Sequence, residues 1–299
     1  MKVNLVLEGG GVLGVTYIGA YKALLEEDIK VKRCAGTSIG SLMASLIIAG
    51  YTPSEMENIF FGEEFNRFLK STGLGNKIPP YRALNIFLQK GVFNNIIIEK
   101  FVEELLKRKG ISTFKDVESK GKKSLIVIAA DVTNRRLVIM PDDLPRYGIN
   151  PDNFKIAKAV SMSCAIPLFF TPTILGDGDS LSFIVDGGLL SNFPIWVFDV
   201  ENEERNLTYA IKIDEKPSYT SQGRHDIFSY AIDVLNTPLN DNRIVYVRDK
   251  DKLKIISIEN DQLIKSTEFY KLNEFKDHLY SLGYNSVKEY FNLNRLNDF

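Results

Sequence analysis

Apolar residues recur along the chain in short runs, each followed by a stretch whose apolar positions have helical spacing. Residues 3–7 form such a run, which ends in glycines, and residues 15–25 follow with apolar side chains three and four positions apart. The same order repeats at once, with an apolar run over 31–35, a glycine turn over 36–40 and a helical pattern over 41–49. The beginning of the chain therefore predicts two consecutive strand–turn–helix units.

The alternation of strands and helices continues through the rest of the sequence. Further strands are predicted at 124–130, 137–140, 183–185, 208–213, 244–247 and 253–258, and further helices at 95–108, 155–163 and 275–290. This alternation is typical of an α/β fold with a mostly parallel sheet, in which loops at the carboxyl ends of the strands carry the chemistry. Because neither a repeat nor a long linker interrupts it, we expect one domain over residues 3–200, with the strands and helices of residues 201–299 packed on it.

Composition and charge narrow the class of protein. The chain has 299 residues, of which 44% are hydrophobic, and its 37 basic and 38 acidic residues leave a formal net charge of -1. That balance argues against a nucleic-acid partner. The N-terminus lacks a signal-peptide pattern, and the apolar run at 42–49 is far shorter than the ~20 residues that span a bilayer, so we expect a cytoplasmic protein with at most peripheral membrane contact. Cys34 and Cys164 lack metal-ligand spacing, and no metal site is predicted.

The first glycine turn has the sequence Gly9-Gly10-Gly11-Val12-Leu13-Gly14 and fits a dinucleotide fingerprint. A dinucleotide site also needs a carboxylate at the end of the second strand, but that strand ends in Cys34 and Ala35, and no Lys-Ser pair follows the glycines as in a phosphate-binding loop. What remains is a row of backbone N–H groups at a helix N-terminus, which suits an anion or the oxyanion of ester cleavage. A turn needed only for helix–strand packing is the alternative.

The second glycine turn, Gly36-Thr37-Ser38-Ile39-Gly40, is a GxSxG string between a predicted strand and a predicted helix. In that setting a serine lies on a sharp turn with its hydroxyl exposed, and the helix N-terminus stabilises developing negative charge. Ser38 is therefore the candidate nucleophile. The alternative is a serine that only caps the helix.

A serine nucleophile needs a base, and the chain has only two histidines. His278 lies on an amphipathic helix, where a surface or core-edge role is favoured, whereas His225 has the chain order of an ordinary α/β-hydrolase and stays open as an alternative base. Asp186, at the end of an apolar strand and before Gly187 and Gly188, is the favoured base. An Asp-Gly-Gly turn without catalytic function is the other interpretation.

Together the three turns resemble the oxyanion, nucleophile and base motifs of the patatin-like phospholipases, and residues 128–134, 161–170 and 190–194 also resemble that family. The resemblance covers about residues 3–200. It implies a three-layer patatin-like α/β fold with a mostly parallel central sheet flanked by helices. It further implies a Ser38–Asp186 dyad without histidine, oxyanion donors in the backbone of Gly9, Gly10 and Gly11, an acyl-enzyme, a phospholipid or other acyl-lipid substrate, and neither metal nor organic cofactor.

One departure from the family concerns Leu13, which stands where the family usually has Arg or Lys. It motivates a second hypothesis, a catalytically silent lipid-binding protein, beside a third, an acyltransferase that uses an alcohol in place of water.

Residues 58–108 are also unusually aromatic, which predicts either core packing or a lipid-facing lid; the aromatic residues are Phe60, Phe61, Phe65, Phe68, Tyr81, Phe87, Phe93 and Phe101.

Overall fold

The computed structural model describes residues 1–72, 88–119, 123–176, 181–198, 207–215, 253–266 and 268–297. Its helices are α1 (Thr16–Glu26), α2 (Ile39–Ile48), α3 (Pro53–Phe60), α4 (Glu63–Thr72), α5 (Ile96–Arg108), α6 (Ile156–Ser163) and α7 (Leu272–Asn297). Its strands are β1 (Lys2–Leu7), β2 (Lys30–Thr37), β3 (Gly91–Phe93), β4 (Leu125–Asp131), β5 (Arg136–Met140), β6 (Leu168–Phe170), β7 (Thr173–Leu175), β8 (Ser182–Asp186), β9 (Thr208–Glu215) and β10 (Leu253–Asn260).

The central sheet has the strand order β10-β9-β1-β2-β4-β8-β7, with β5 also paired to β4. The five strands from β10 to β4 are parallel, as the alternation of strands and helices predicts. By contrast β5, β7 and β8 pair in the antiparallel sense. The sheet is thus mostly parallel, and its antiparallel strands are grouped at the β4 end of the strand order.

Both faces of the sheet are buried, because successive side chains of each strand alternate between two clusters. Leu5 and Leu7 of β1 belong to the large core that contains the buried side chains of α1, α2, α3, α5, α6 and α7. Val6 belongs to a smaller core on the opposite face, where the segment from Phe193 to Phe198 covers the sheet. A strand that is buried on both sides appears in the sequence as a continuous apolar run, which is why β1 and β4 were recognisable there.

The longer elements lie where the sequence places them, but several short ones were not predicted. Among these, α3 begins with a capping box in which the Thr52 hydroxyl accepts from the Glu55 N–H, a signal present in the sequence as Thr-Pro-Ser-Glu. Strands β3, β6 and β7 have three residues each, too few for an alternating pattern to register. The strand expected at 244–247 lies outside the described residues.

The aromatic residues between 58 and 108 that the structure describes lie in the core or pack against it, as the core interpretation predicts, and the lid interpretation is wrong for them. Phe60, Phe65 and Phe101 are almost fully buried. The rings of Phe65, Phe68 and Phe101 contact one another, with centroids 4.4 Å apart for Phe68 and Phe101. Such contacts join α4 to α5 in the large core; Tyr81 and Phe87 lie outside the described residues.

Candidate active site

Ser38 lies on a strained turn between β2 and α2. Its backbone has φ 53° and ψ -128°, a conformation that costs a non-glycine residue about 1–3 kcal/mol and occurs mostly at functional sites. The flanking glycines permit the turn, since a Cβ on Gly36 would overlap the backbone of Gly40 and a Cβ on Gly40 would overlap the carbonyl oxygen of Leu7. The string GxSxG therefore folds here as a sharp strand–turn–helix elbow.

Asp186 reaches this elbow because β2 and β8 lie end to end along the same side of β4. Thr37 of β2 pairs with Ile128, and Asp186 pairs with the next residue, Ala129. Strand β5 already pairs with residues 127–131 on the other side of β4, so β8 can only occupy the side of β2. The antiparallel β8 thus ends where β2 ends, and its last residue faces Ser38.

The Ser38 hydroxyl donates a hydrogen bond to the carboxylate of Asp186, with 2.7 Å between Oγ and Oδ2. The other carboxylate oxygen accepts from the N–H of Gly188 at 2.7 Å. Asp186 is only 6% exposed, and burial raises its pKa to about 6, although the hydrogen bonds from Ser38 and Gly188 act in the opposite direction. The carboxylate is therefore a stronger base than an exposed aspartate and stays mostly ionised at neutral pH.

Ser163, at the end of α6, supports the elbow from behind and was not singled out in the sequence as a site residue. Its hydroxyl accepts from the N–H of Ser38 at 2.8 Å and donates to the carbonyl oxygen of Ile128 at 2.5 Å. The side chain is fully buried. Ser163 thus links the Ser38 backbone to β4. It does not contact the Ser38 hydroxyl, whose partner is Asp186.

The first glycine turn lies against Ser38, since a Cβ built on Gly9 would come within 3.3 Å of the Ser38 Cβ. Among the described residues, the N–H groups of Gly10 and Gly11 meet no acceptor. The expectation that Gly9 is also an oxyanion donor needs correction, because its N–H donates to the carbonyl oxygen of Asn192 at 3.0 Å. Gly11 has φ +54°, which a glycine adopts without strain.

Two further glycines of the motifs allow neighbouring segments to pack closely against the backbone. A Cβ on Gly14 would overlap the side chain of Ile39, and a Cβ on Gly187 would overlap the carbonyl oxygen of Ile128. Leu13, which stands where the family usually has Arg or Lys, is 1% exposed and packs in the large core.

Of the two histidines, the structure describes only His278. His278 lies on α7 with its Nε2 2.8 Å from Asp261 Oδ2, and its side chain is 37% exposed, which fits the surface or core-edge role expected for it. His225 lies outside the described residues. No group of three or more potential metal ligands occurs among the residues described, and in the same part of the chain no helix is long and apolar enough to cross a membrane.

Comparison with known proteins identifies the class of enzyme. Residues 5–199 match the Patatin-like phospholipase family, which is more than half of the chain. Uncharacterized protein YqhO of Bacillus subtilis (strain 168) is 34% identical over 95% of this chain and 96% of its own length. The chain therefore belongs to the patatin-like phospholipase family and is a hydrolase of lipid esters.

A relative with a stated activity agrees with this assignment, and two solved structures share the fold. Probable lipid hydrolase 463L of Invertebrate iridescent virus 6 is 29% identical over 91% of this chain and 86% of its own length. Among solved structures, VipD from Legionella pneumophila has a TM-score of 0.54 at 18% identity and ExoU has 0.50 at 14%, covering 97% and 98% of this chain. These two show the same fold; this chain spans 66% and 53% of their lengths.

Proposed function

We propose that the chain hydrolyses the carboxyl-ester bonds of phospholipids or related acyl lipids, with Ser38 as nucleophile, Asp186 as base and an acyl-enzyme as intermediate. The observation that carries this proposal is the 2.7 Å hydrogen bond between the hydroxyl of a strained serine and a buried carboxylate. A helix-capping serine needs neither a positive φ nor a carboxylate partner. Both features serve a nucleophile held in position by its base.

The reaction divides into two half-reactions. Asp186 takes the proton of the Ser38 hydroxyl while Oγ attacks the ester carbonyl, and the N–H groups of Gly10 and Gly11 receive the negative oxygen of the tetrahedral intermediate. When the intermediate collapses, the bond to the leaving alkoxide breaks and Asp186 returns the proton to it. Water then attacks the acyl-Ser38 ester, again giving its proton to Asp186, and the fatty acid leaves as Ser38 recovers its hydrogen.

An aspartate suffices as the base because its burial in the site brings its pKa closer to neutral pH. With a pKa raised to about 6 by burial, Asp186 is ionised at pH 7 yet a better proton acceptor than an exposed carboxylate. The hydroxyl proton is already directed at Oδ2, so no rearrangement precedes transfer. A side chain at Gly188 would come within 3.0 Å of the other carboxylate oxygen, Oδ1, so a glycine lets the backbone N–H approach it closely.

The decisive experiment combines activity with covalent labelling. Wild type should release fatty acid from a phospholipid panel and become labelled by a fluorophosphonate, whereas Ser38→Ala and Asp186→Asn should lose activity by at least about 10³-fold. Ser45→Ala is the matched control, because Ser45 lies on the same helix and its hydroxyl only donates to the carbonyl of Leu42. His225→Asn should keep full activity. Unlabelled wild type would support silent lipid binding, and a product acylated on added lyso-lipid would show acyl transfer.

We propose peripheral contact with a lipid surface at apolar side chains near the base. Leu190 lies in the turn after Asp186 and is 46% exposed, and Leu168 is 36% exposed in the segment whose Ala165 carbonyl accepts from the Asp186 N–H. Replacing both leucines by serine should weaken binding to phosphatidylcholine vesicles in flotation assays while hydrolysis of a short soluble ester is kept. Leu293→Ser, at a position 55% exposed on α7, is the control. Equal binding by all variants would refute this contact.

A further inference from the structure

A single two-residue segment, Ser191 and Asn192, contacts all three turns of the site. The Thr37 hydroxyl, just before the nucleophile, donates to the Ser191 carbonyl at 2.9 Å, and the Ser191 N–H donates to the Gly187 carbonyl at 2.9 Å, after the base. Asn192 contacts the third turn twice, because its backbone carbonyl accepts from the Gly9 N–H at 3.0 Å and its side-chain Nδ2 donates to the Gly9 carbonyl at 3.0 Å.

The amide of Asn192 is itself oriented by a buried carboxyl group. Nδ2 also donates to Oε1 of Glu8 at 3.2 Å, and the other oxygen of Glu8 accepts from the N–H of Ile213 at 2.9 Å. Glu8 is 1% exposed and directly precedes the glycine turn. With both hydrogens of Nδ2 directed at acceptors, only the amide of asparagine fits; a carboxylate at this position would face two oxygens with no hydrogen to offer.

We propose that Asn192, oriented by Glu8, is a positioning residue that holds the glycine turn at the distance from Ser38 at which the Gly10 and Gly11 amides reach the oxyanion. The inference rests on the proposed serine mechanism. Gly9 is the residue next to the first donor, and hydrogen bonds on both its N–H and its carbonyl fix the peptide planes on its two sides, the second of which carries the Gly10 N–H. Displacing such a donor by about 1 Å is enough to cost about 10²-fold in rate.

A role in the oxyanion turn differs measurably from a role in the core. Asn192 is only partly buried and belongs to neither hydrophobic cluster, so its replacement leaves the packed interior intact. The donors it positions act on the tetrahedral intermediate and on no ground-state group. We therefore expect its loss to lower kcat and leave KM almost unchanged.

The test compares near-isosteric variants of the purified full chain on a short-chain ester. Asn192→Asp should lower kcat by about 10²-fold with KM changed less than about twofold, and should slow labelling by a p-nitrophenyl alkylphosphonate in the same proportion, because that probe also passes through an oxyanion-like transition state. Glu8→Gln presents an N–H2 group to either Asn192 or Ile213 and should lower both rates by about tenfold. Asn192→Ala, which adds no charge, replaces Asn192→Asp where the latter does not fold.

Asn134→Asp is the matched control, because the Asn134 amide likewise donates to a carboxylate, Asp131, and contacts none of the three turns. It should lower the unfolding temperature but keep kcat. The inference is overturned if a folded Asn192 variant keeps kcat and the phosphonate labelling rate within threefold of wild type. The proposed function fails separately, if wild type itself is not labelled at Ser38.

Discussion

As the proposed base, Asp186 is subject to two opposing requirements: it must be buried to accept a proton readily near neutral pH, and yet it must carry a charge. Burial raises its pKa to about 6, and only the ionised form can accept the proton of Ser38. We expect kcat/KM for a soluble ester to rise with pH and level off above an apparent pKa of about 6. A rate profile from pH 4.5 to 8.5, measured where circular dichroism shows intact structure, tests this. A profile governed by a group that titrates near pH 4 would contradict it.

The same shift makes Asp186 a source of instability. In the unfolded chain an aspartate titrates near 4, so between pH 4 and 6 the folded state binds more protons, and the free energy of unfolding falls as pH rises. Asp186→Asn removes the buried charge and should raise the free energy of unfolding by up to about 3 kcal/mol at pH 8 and about half as much at pH 5. Urea unfolding at the two pH values measures this.

Asp131 provides a control of opposite sign. Burial alone would raise its pKa, but hydrogen bonds from Asn134 and Tyr147 hold the pKa below its ordinary value. Its charge is therefore stabilising, and that stabilisation is lost as pH falls through the lowered pKa. Asp131→Asn should lower the free energy of unfolding at pH 8. Destabilisation by Asp186→Asn of similar size would refute the assignment of Asp186 as a buried carboxylate with a raised pKa.

At the scale of elements, the sequence predicts the individual turns of the site better than it predicts which of them lie close together. Ser38 and the glycine turn follow parallel strands, and the carboxyl ends of parallel strands share one edge, so their proximity was predictable. Asp186 is the last residue of an antiparallel strand, and neither periodicity nor composition encodes strand direction. Its contact with Ser38 depends on β8 stopping level with Ala129, a register visible only in the folded sheet. Asn192 and Ser163 lie in stretches that resemble the family, but the sequence assigned them no role, since their hydrogen-bond partners are distant along the chain.

Helix α7 supports the site indirectly, through a close crossing with α1. A Cβ on Gly19 would overlap the carbonyl oxygen of Tyr280, and a Cβ on Gly283 would overlap that of Thr16. Helix α1 follows directly on the glycine turn, so α7 holds the helix that anchors the turn. The two glycines thus allow the helix backbones to touch.

We expect Gly283→Ala to force α7 away from α1 and to lower the free energy of unfolding by about 1–3 kcal/mol. Because the Asn192 hydrogen bonds to Gly9 also hold the glycine turn and do not involve α7, kcat at 20 °C should change less than about twofold. Urea unfolding and steady-state kinetics on the same samples test both parts. Ser286→Ala, which removes only a hydroxyl that donates to the Leu282 carbonyl one turn back, is the control on the same helix. Equal stability of the two variants would show that the crossing tolerates a side chain.

At the scale of the whole molecule, strands β9 and β10, beyond residue 200, complete the sheet that carries the turns of the proposed active site. Strand β9 lies between β1 and β10, and the N–H groups of Asn4 and Glu8 donate to the carbonyls of Leu207 and Ile211. The Ile213 N–H binds the carboxyl of Glu8 beside the glycine turn. We propose on these grounds that residues 3–200 and 201–299 form one cooperative unit, although the family match ends at residue 199.

A chain ending at residue 200 would retain Ser38, Asp186 and Asn192 but would expose the edge of β1 and leave Glu8 without its contact to Ile213. An unpaired edge of this length favours aggregation, so we expect the truncated chain to be insoluble or inactive. In the full chain, fluorescence of the single Trp196, whose Nε1 donates to the Ser191 hydroxyl beside the site, should change with far-UV circular dichroism in one coincident urea transition. Two separate transitions, or a folded and active truncated chain, would show instead that the C-terminal residues are an independent addition to a self-sufficient catalytic domain.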